Sequence, residues 1–405
     1  MNIAERPSAL KPVDDRKLFR ISRGELERRW RFARDLLRDH GVGALIAQST
    51  RDFMGGYVKW FTDTAASNAR TVVFHADGGM SVVEHGPMGG ERTLDGNDPR
   101  YPGVTELVTT AAFSSAHYTQ GIDADAVIAL LRKRGYKRIA FLGAASTPHE
   151  FVARITAAMQ GQTEIVDLTD AVDEFKAVKS DEEIAMIRAT AHMQDDVFSR
   201  VLAEAKPGMR DFEITALARY AGELVGSEQG LFMASSAKLG GPAPLAPRNA
   251  QGRTMREGDY MTLLIENNGF GGYYTELARS IVFGEASPEL LDACEACKEA
   301  QAHTLTQFKP GASCRDIALA HDAFMTARGL PPEKRLYSHA QGYDLVERPL
   351  IRADETMLLA AGMNMALHPG YATPSLFVTV CDNYMVEEHG PSECLHRTAK
   401  QVFEI

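Results

Sequence analysis

The sequence predicts an α/β protein of two domains, the second built from two related helix-and-sheet halves. Three observations carry that prediction. Helical and strand-like patterns alternate between residues 21 and 170. A Ser-x-x-Glu capping signal, Ser180 with Glu183, then launches a long amphipathic pattern. Finally, the triplet Lys206-Pro207-Gly208 recurs as Lys309-Pro310-Gly311, each copy between two helical patterns and each followed by an isoleucine at the same offset, Ile214 and Ile317.

The elements follow in order. Residues 1–20 are polar and read as an arm. Residues 23–40 have helical periodicity, Gly41-Val42-Gly43 breaks it, and 44–48 is a short apolar run, so the first domain opens as helix then buried strand. Runs at 70–74 and 80–84 flank Asp77-Gly78-Gly79, a hairpin signal. Helix at 123–134, strand at 138–142, helix at 148–159 and strand at 163–168 complete a domain spanning 21–171. The second domain, 172–405, begins with the capped helix. Its helix pairs are 181–205 with 211–225 and 288–308 with 313–328, and Ser287-Pro288 supplies an N-cap and N1 proline to the second pair. β-rich runs at 230–283 and 335–386 follow, which places the site between two sheets.

Composition narrows the function classes. A formal net charge of -10, with pI near 5.7 and no basic stripe, excludes nucleic acid and anionic membrane as main partners. The first residues lack the apolar core of a signal peptide, and no run approaches the ~18 apolar residues of a membrane span. The expectation is a cytoplasmic enzyme acting on a small molecule. Five cysteines (294, 297, 314, 381 and 394) are too few and too uneven for a disulfide framework, and Cys294-x-x-Cys297 lies inside a helical pattern with no second pair to complete a zinc site.

The chemistry concentrates in residues 264–283, where an apolar run ends in Glu266, turns at Asn268-Gly269 and returns to Glu276. Further along, His339, His368 and Asp382 lie on or beside strand-like segments. Carboxylates and imidazoles presented by strands of one domain suit a divalent cation, and pairs of them suit acid–base work. Tyr274 shares the strand face of Glu276 and is a candidate pocket wall, whereas Arg279, three residues on, points the other way and reads as structural. Tyr343 and Arg348 follow His339 in a stretch that reads as a loop and are candidate substrate contacts.

These segments carry a resemblance. Residues 172–395 are similar to the creatinase/aminopeptidase P/methionine aminopeptidase superfamily, the pita-bread fold, on four features: Phe175 through Ile184, the Lys206-Pro-Gly208 turn, Glu266 followed by Gly272-Tyr273 and Glu276-Leu-Ala-Arg279, and Ala361-Gly-Met363 followed by His368-Pro-Gly370. The N-terminal domain resembles the one preceding it in creatinase and prolidase. The resemblance implies a homodimer and a metal site at Glu266, Glu276, His339, His368 and Asp382, where metal-dependent members carry Asp, Asp, His, Glu and Glu. All five positions remain competent ligands, and two histidines favour Fe, Mn or Zn over magnesium. A histidine that peptidases of the family carry near residues 241–247 has no counterpart in Gly-Pro-Ala-Pro-Leu-Ala-Pro.

That departure points to a divergent, non-peptidase member. The leading expectation is a creatinase-type hydrolase of a small molecule, cleaving an amide, cyclic amidine or ureido C–N bond, with Glu276, His339 and Glu266 as catalytic groups. Alternatives left open are an Fe-, Mn- or Zn-dependent lyase or oxygenase on a small carboxylic or aromatic substrate, an Xaa-Pro-type metallopeptidase, and a binding protein with a decayed site.

Overall fold

Helix α1 (Arg23–Asp39) starts where the Ser22 hydroxyl accepts the Glu25 amide, and its inward stripe buries Leu26, Trp30, Ala33 and Leu37. The structure, a computed structural model, describes residues 19–50, 56–65 and 68–405, so the expected N-terminal arm lies outside the described residues apart from Phe19 and Arg20. The chain divides into two compact units, Ile21–Lys176 and Ala177–Ile405, the second taking in the described residues before Ile21.

The first unit continues with β1 (Ala44–Ser49), α2 (Gly56–Thr62), β2 (Arg70–His75), β3 (Met80–His85), β4 (Gly90–Thr93), β5 (Val104–Thr110), α3 (Gln120–Arg134), β6 (Arg138–Leu142), α4 (His149–Met159), β7 (Glu164–Asp167) and α5 (Thr169–Ala177). Its seven-stranded sheet runs β4-β5-β3-β2-β1-β6-β7, with β1, β6 and β7 parallel and β2–β3 the hairpin announced by Gly78, whose φ is +94°. Helices α3 and α4 cover it through Val127, Leu131, Phe151 and Ile155. The sequence reading passes over α2, β4 and β5. β4 is largely exposed, and β5 is threonine-rich, so neither shows a clean apolar period.

The second unit contains α6 (Asp181–Glu204), α7 (Asp211–Glu223), β8 (Gly230–Lys238), β9 (Asp259–Asn268), β10 (Tyr274–Val282), α8 (Pro288–Leu305), α9 (Cys314–Ala327), β11 (Ser338–Ala340), β12 (Glu347–Leu350), β13 (Asn364–Leu367), β14 (Gly370–Thr373), β15 (Leu376–Thr379), β16 (Asp382–Glu387), β17 (Gly390–Pro391) and β18 (Phe403–Glu404). The main sheets run β18-β10-β9-β8 and β12-β11-β13-β16-β17, and β14–β15 is a separate hairpin. The capping box is formed in full: Ser180 Oγ accepts the Glu183 amide and Glu183 Oε2 accepts the Ser180 amide.

The repeated Lys-Pro-Gly turns play the same part in both halves. Gly208 (φ +97°) donates its amide to Met255 O, and Gly311 (φ +82°) donates to Leu359 O. Return bonds from Met255 N to Met209 O and from Leu359 N to Ala312 O complete each clasp, and antiparallel bridges follow at Arg210–Thr254 and Ser313–Leu358. The echo in the sequence is therefore a structural duplication, with each clasp holding a helix pair to the segment leading into its sheet.

Strands β9 and β10 form the expected hairpin, with Glu266 directly opposite Glu276 and every residue of both strands buried. The connection is wider than the expected Asn-Gly turn. Asn268 pairs with Tyr274, and residues 269–273 make a loop containing a short 3-10 turn. The Asn268 side chain accepts the Glu228 and Gln229 amides, while Phe270 N donates to Thr190 of α6. At Gly271 (φ +64°) a Cβ would lie 2.2 Å from Met186 Sδ, so helix α6 itself shapes this loop. Gln194 of α6 donates to Asn267 Oδ1 and to Thr275 O, clamping the two strands from behind.

The two sheets meet where Ala278 and Cys381 exchange amide bonds at 3.3 Å in each direction. Beside this seam Arg279 is fully buried and all its donors are engaged: Nε to Ala399 O, Nη1 to Ala278 O and Cys381 O, and Nη2 to Thr398 O and, at 2.6 Å, to Asp382 Oδ1. Replacing one member of a buried, fully bonded pair leaves its partner's charge uncompensated. Arg279→Met should lower unfolding free energy by about 3–5 kcal/mol, and Arg279→Met with Asp382→Leu should recover part of the loss; urea denaturation followed by far-UV circular dichroism measures both.

Candidate active site

The hairpin and the second sheet place the sequence-predicted residues at the seam. Glu266 and Glu276 come from β9 and β10, His339 from β11, and His368 directly follows β13. Three of them converge. Glu276 Oε2 lies 3.6 Å from His339 Nε2 and 3.8 Å from His368 Nε2, and the donor atoms of all three residues lie within 4.8 Å of one another. Glu276 Oε2 and His368 Nε2 are buried and have no hydrogen-bond partner.

The surroundings set the charge states. Burial pushes Glu276 up to about 7 and holds His339 down at about 4. His368 is lowered well below the ordinary imidazole value, first by burial and then by the charges of His339 and Arg335. Both imidazoles are therefore neutral near pH 7. The His339 Nδ1 contact with Ala340 O at 3.1 Å fits an Nδ1–H tautomer, which leaves the Nε2 lone pair facing Glu276. Two neutral imidazole nitrogens and a carboxylate oxygen gathered within 4.8 Å of one another, with Glu276 Oε2 and His368 Nε2 free of hydrogen bonds, are the donor set a divalent cation of the Mn, Fe or Zn kind takes. The residues fit a metal.

The other predicted residues fall elsewhere. Glu266 lies beside the cluster but outside it: Oε1 accepts from Gln341 Nε2 at 2.8 Å, and burial together with the Glu276 charge holds its carboxyl well above the usual range. Asp382 is not brought to the cluster. Its Oδ1 is bonded to Arg279 and its Oδ2 to Gln301 Nε2, so the expected fifth ligand is instead the counter-ion of the seam. Arg348 is ion-paired with Glu355 at 2.6 Å rather than directed at the histidines. The Tyr343 ring stacks on Tyr273 with centroids 4.5 Å apart, and its amide donates to Glu347. Tyr274 is buried on the Glu276 face of β10, with its amide bonded to Gly342 O.

Sequence reasoning missed a chain of buried amides behind the carboxylates. Gln341 Oε1 accepts from Asn383 Nδ2 at 2.8 Å, Asn383 Nδ2 also donates to Asn364 Oδ1, and Asn383 Oδ1 accepts the Glu276 amide at 2.7 Å. Gln341 lies two residues after His339, and that period-two spacing was the available signal.

A duplicated helix-and-sheet domain with a buried His-His-Glu cluster at its seam belongs to the metal-dependent hydrolases of pita-bread architecture. The model of metallopeptidase family M24 matches residues 185–388, half of the chain, and the chain belongs to that family, whose members work with divalent metals. Among curated proteins it is 24% identical over 272 residues to an uncharacterized peptidase, YqhT, of Bacillus subtilis, covering 65% of this chain and 74% of that one. It is also 24% identical over 230 residues to an Xaa-Pro dipeptidase of Pyrococcus furiosus, covering 56% and 65%. Among solved structures, an X-Pro aminopeptidase from Thermotoga maritima superposes with a TM-score of 0.77 at 17% identity, over 93% of this chain and 99% of that chain.

These relatives correct the leading expectation. The reading of a creatinase-type hydrolase acting on a non-peptide C–N bond gave decisive weight to one histidine absent from residues 241–247, but the relatives are peptidases. A missing hydrogen-bond donor alters how a carbonyl is steadied and does not by itself change the bond that is cleaved. Nothing in the comparisons supports lyase or oxygenase chemistry. Among the described residues, no helix is long and apolar enough to cross a membrane.

Because Glu276 holds its proton to a higher pH folded than unfolded, its contribution to metal-free stability is full below about 4.5 and is lost as pH rises through about 7. His339 acts oppositely: its depressed folded value means stability lost as pH falls from about 6.5 through about 4. Chelator-treated Glu276→Gln should therefore lose less stability than chelator-treated parent between pH 5 and pH 8, with urea midpoints at the two pH values as the readout.

Proposed function

We propose that this chain is a metal-dependent peptidase that cleaves the amide bond before proline in small Xaa-Pro substrates. The observation that carries the reading is the convergence of Glu276, His339 and His368 on one point, with Glu276 Oε2 and His368 Nε2 buried and without hydrogen-bond partners. The names of the relatives supply the bond type. A divalent ion bound by these three side chains would polarise the scissile carbonyl and acidify water.

The chain's own residues then supply the proton traffic. With a bound cation offsetting the burial that otherwise keeps it protonated, Glu266, directly across the hairpin from Glu276 and oriented by Gln341, would take a proton from the attacking water and return it to the departing proline nitrogen. His339 and His368 stay neutral, so they present lone pairs rather than compete for that proton. Tyr274, on the same face as Glu276, supplies a hydroxyl toward the carbonyl oxygen in place of the histidine that residues 241–247 lack. The buried setting excludes bulk water from the proton path. A homodimer in the cytoplasm accords with the family resemblance and with five free cysteines, four of them buried.

Hydrolysis of an Xaa-Pro dipeptide panel, followed by release of free proline from Mn2+-supplemented protein, tests the reading. Chelation should abolish turnover, and His368→Ala should lower it more than about a hundredfold with the fold intact. If the metal-loaded protein releases no proline from any dipeptide or Xaa-Pro peptide, the proposal is wrong.

A further inference from the structure

We infer that the site is built for a single metal ion, and that Gln341 is the positioning residue that keeps Glu266 out of its coordination sphere. The inference rests on the metal reading above and goes beyond it by fixing how many ions the chain holds and which side chain sets that number.

Five side chains at the seam have the chemistry of ligands, and the structure divides them by what their oxygens and nitrogens already touch. Glu276, His339 and His368 form the convergent group. Asp382 has both oxygens engaged, one by Arg279 at 2.6 Å and one by Gln301 at 3.2 Å, and its Arg279 partner is fully buried. Freeing Asp382 for an ion would strand a buried guanidinium without its counter-charge.

Glu266 is held more selectively. Gln341 Nε2 donates to Glu266 Oε1 at 2.8 Å, and the amide cannot turn away because its other end is fixed: Gln341 Oε1 accepts from Asn383 Nδ2 at 2.8 Å. Asn364 closes the network by accepting from Asn383 Nδ2 at 3.1 Å and donating to Gln341 O at 3.3 Å. All three amides are fully buried. Asn383 Oδ1 also accepts the Glu276 backbone amide, so one asparagine registers the strand that carries the ligand and the glutamine that restrains its neighbour. A satisfied buried amide network has little freedom to rearrange, since any broken bond leaves a polar group unpaired.

The test is a count. Protein stripped with chelator is titrated with Mn2+, and ions bound per chain are measured by calorimetry and by elemental analysis after gel filtration. The parent and Glu266→Gln should each bind one ion with affinities within about threefold of one another. Gln341→Met should release Glu266 toward the ion and tighten binding by about tenfold, the size of effect expected for groups that orient ligands. Adding Glu266→Gln to that variant should restore parental affinity. Two ions on the parent, with one lost in Glu266→Gln, would overturn the single-ion inference and leave the metal reading standing. No ion on the parent would overturn both. Unchanged affinity in a folded Gln341→Met would remove Gln341 from its role, and the Glu266→Gln count tests the single-ion claim even if Gln341→Met does not fold.

Discussion

The buried Arg279–Asp382 pair is the constraint on which the rest of the catalytic unit depends. A guanidinium taken out of water is tolerated only when its charge is countered and its donors are filled, and here the counter-ion comes from β16 while the acceptors come from β10, the seam and residues 398–399. Three separate stretches of chain, 278–279, 381–382 and 398–399, are thereby held to one another. Because Glu276 lies three residues from Arg279 on the opposite face of β10, the pair fixes where that carboxylate can stand relative to the strands carrying the histidines. It also removes Asp382 from ligand duty, so a structural need and a chemical one were settled by the same side chain.

On the other face the electrostatics are inverted. Burial there favours a protonated Glu276, a protonated Glu266 and two neutral imidazoles, an environment that rejects net charge of either sign until a cation enters. Glu276 Oε2 and His368 Nε2 are among the buried polar atoms without hydrogen-bond partners, and they face each other 3.8 Å apart where an ion would sit. The amides of Gln341, Asn364 and Asn383 hold this shape without adding formal charge.

Much of the fold was legible because its signals are local. The capping box at Ser180 and Glu183 and the two Lys-Pro-Gly turns depend on residues close in sequence, and each forms as its chemistry dictates. The pairing of Glu266 with Glu276 was legible because a hairpin brings near neighbours together, even though helix α6 widened the turn. The fate of Asp382 was not, since its partner lies 103 residues earlier and nothing in either segment names the other. The amide network escaped for a related reason: the two-residue spacing places Gln341 on the face of His339, but the value of a buried amide comes from what stands opposite, here Glu266 and Asn383 from distant segments. The substrate class was misjudged because one absent side chain was given more weight than the architecture around it.

The same guanidinium sets an order on the making of the protein. Two of the acceptors of Arg279 lie 119 and 120 residues later in the chain, and β18, which pairs with β10, comes later still. At ordinary ribosomal speeds that separation is on the order of ten seconds. Throughout that interval the nascent hairpin carries an arginine lacking part of its shell and a strand edge awaiting a partner, the kind of surface that other chains, or a chaperone, will find first. Folding of this site is therefore paced by translation.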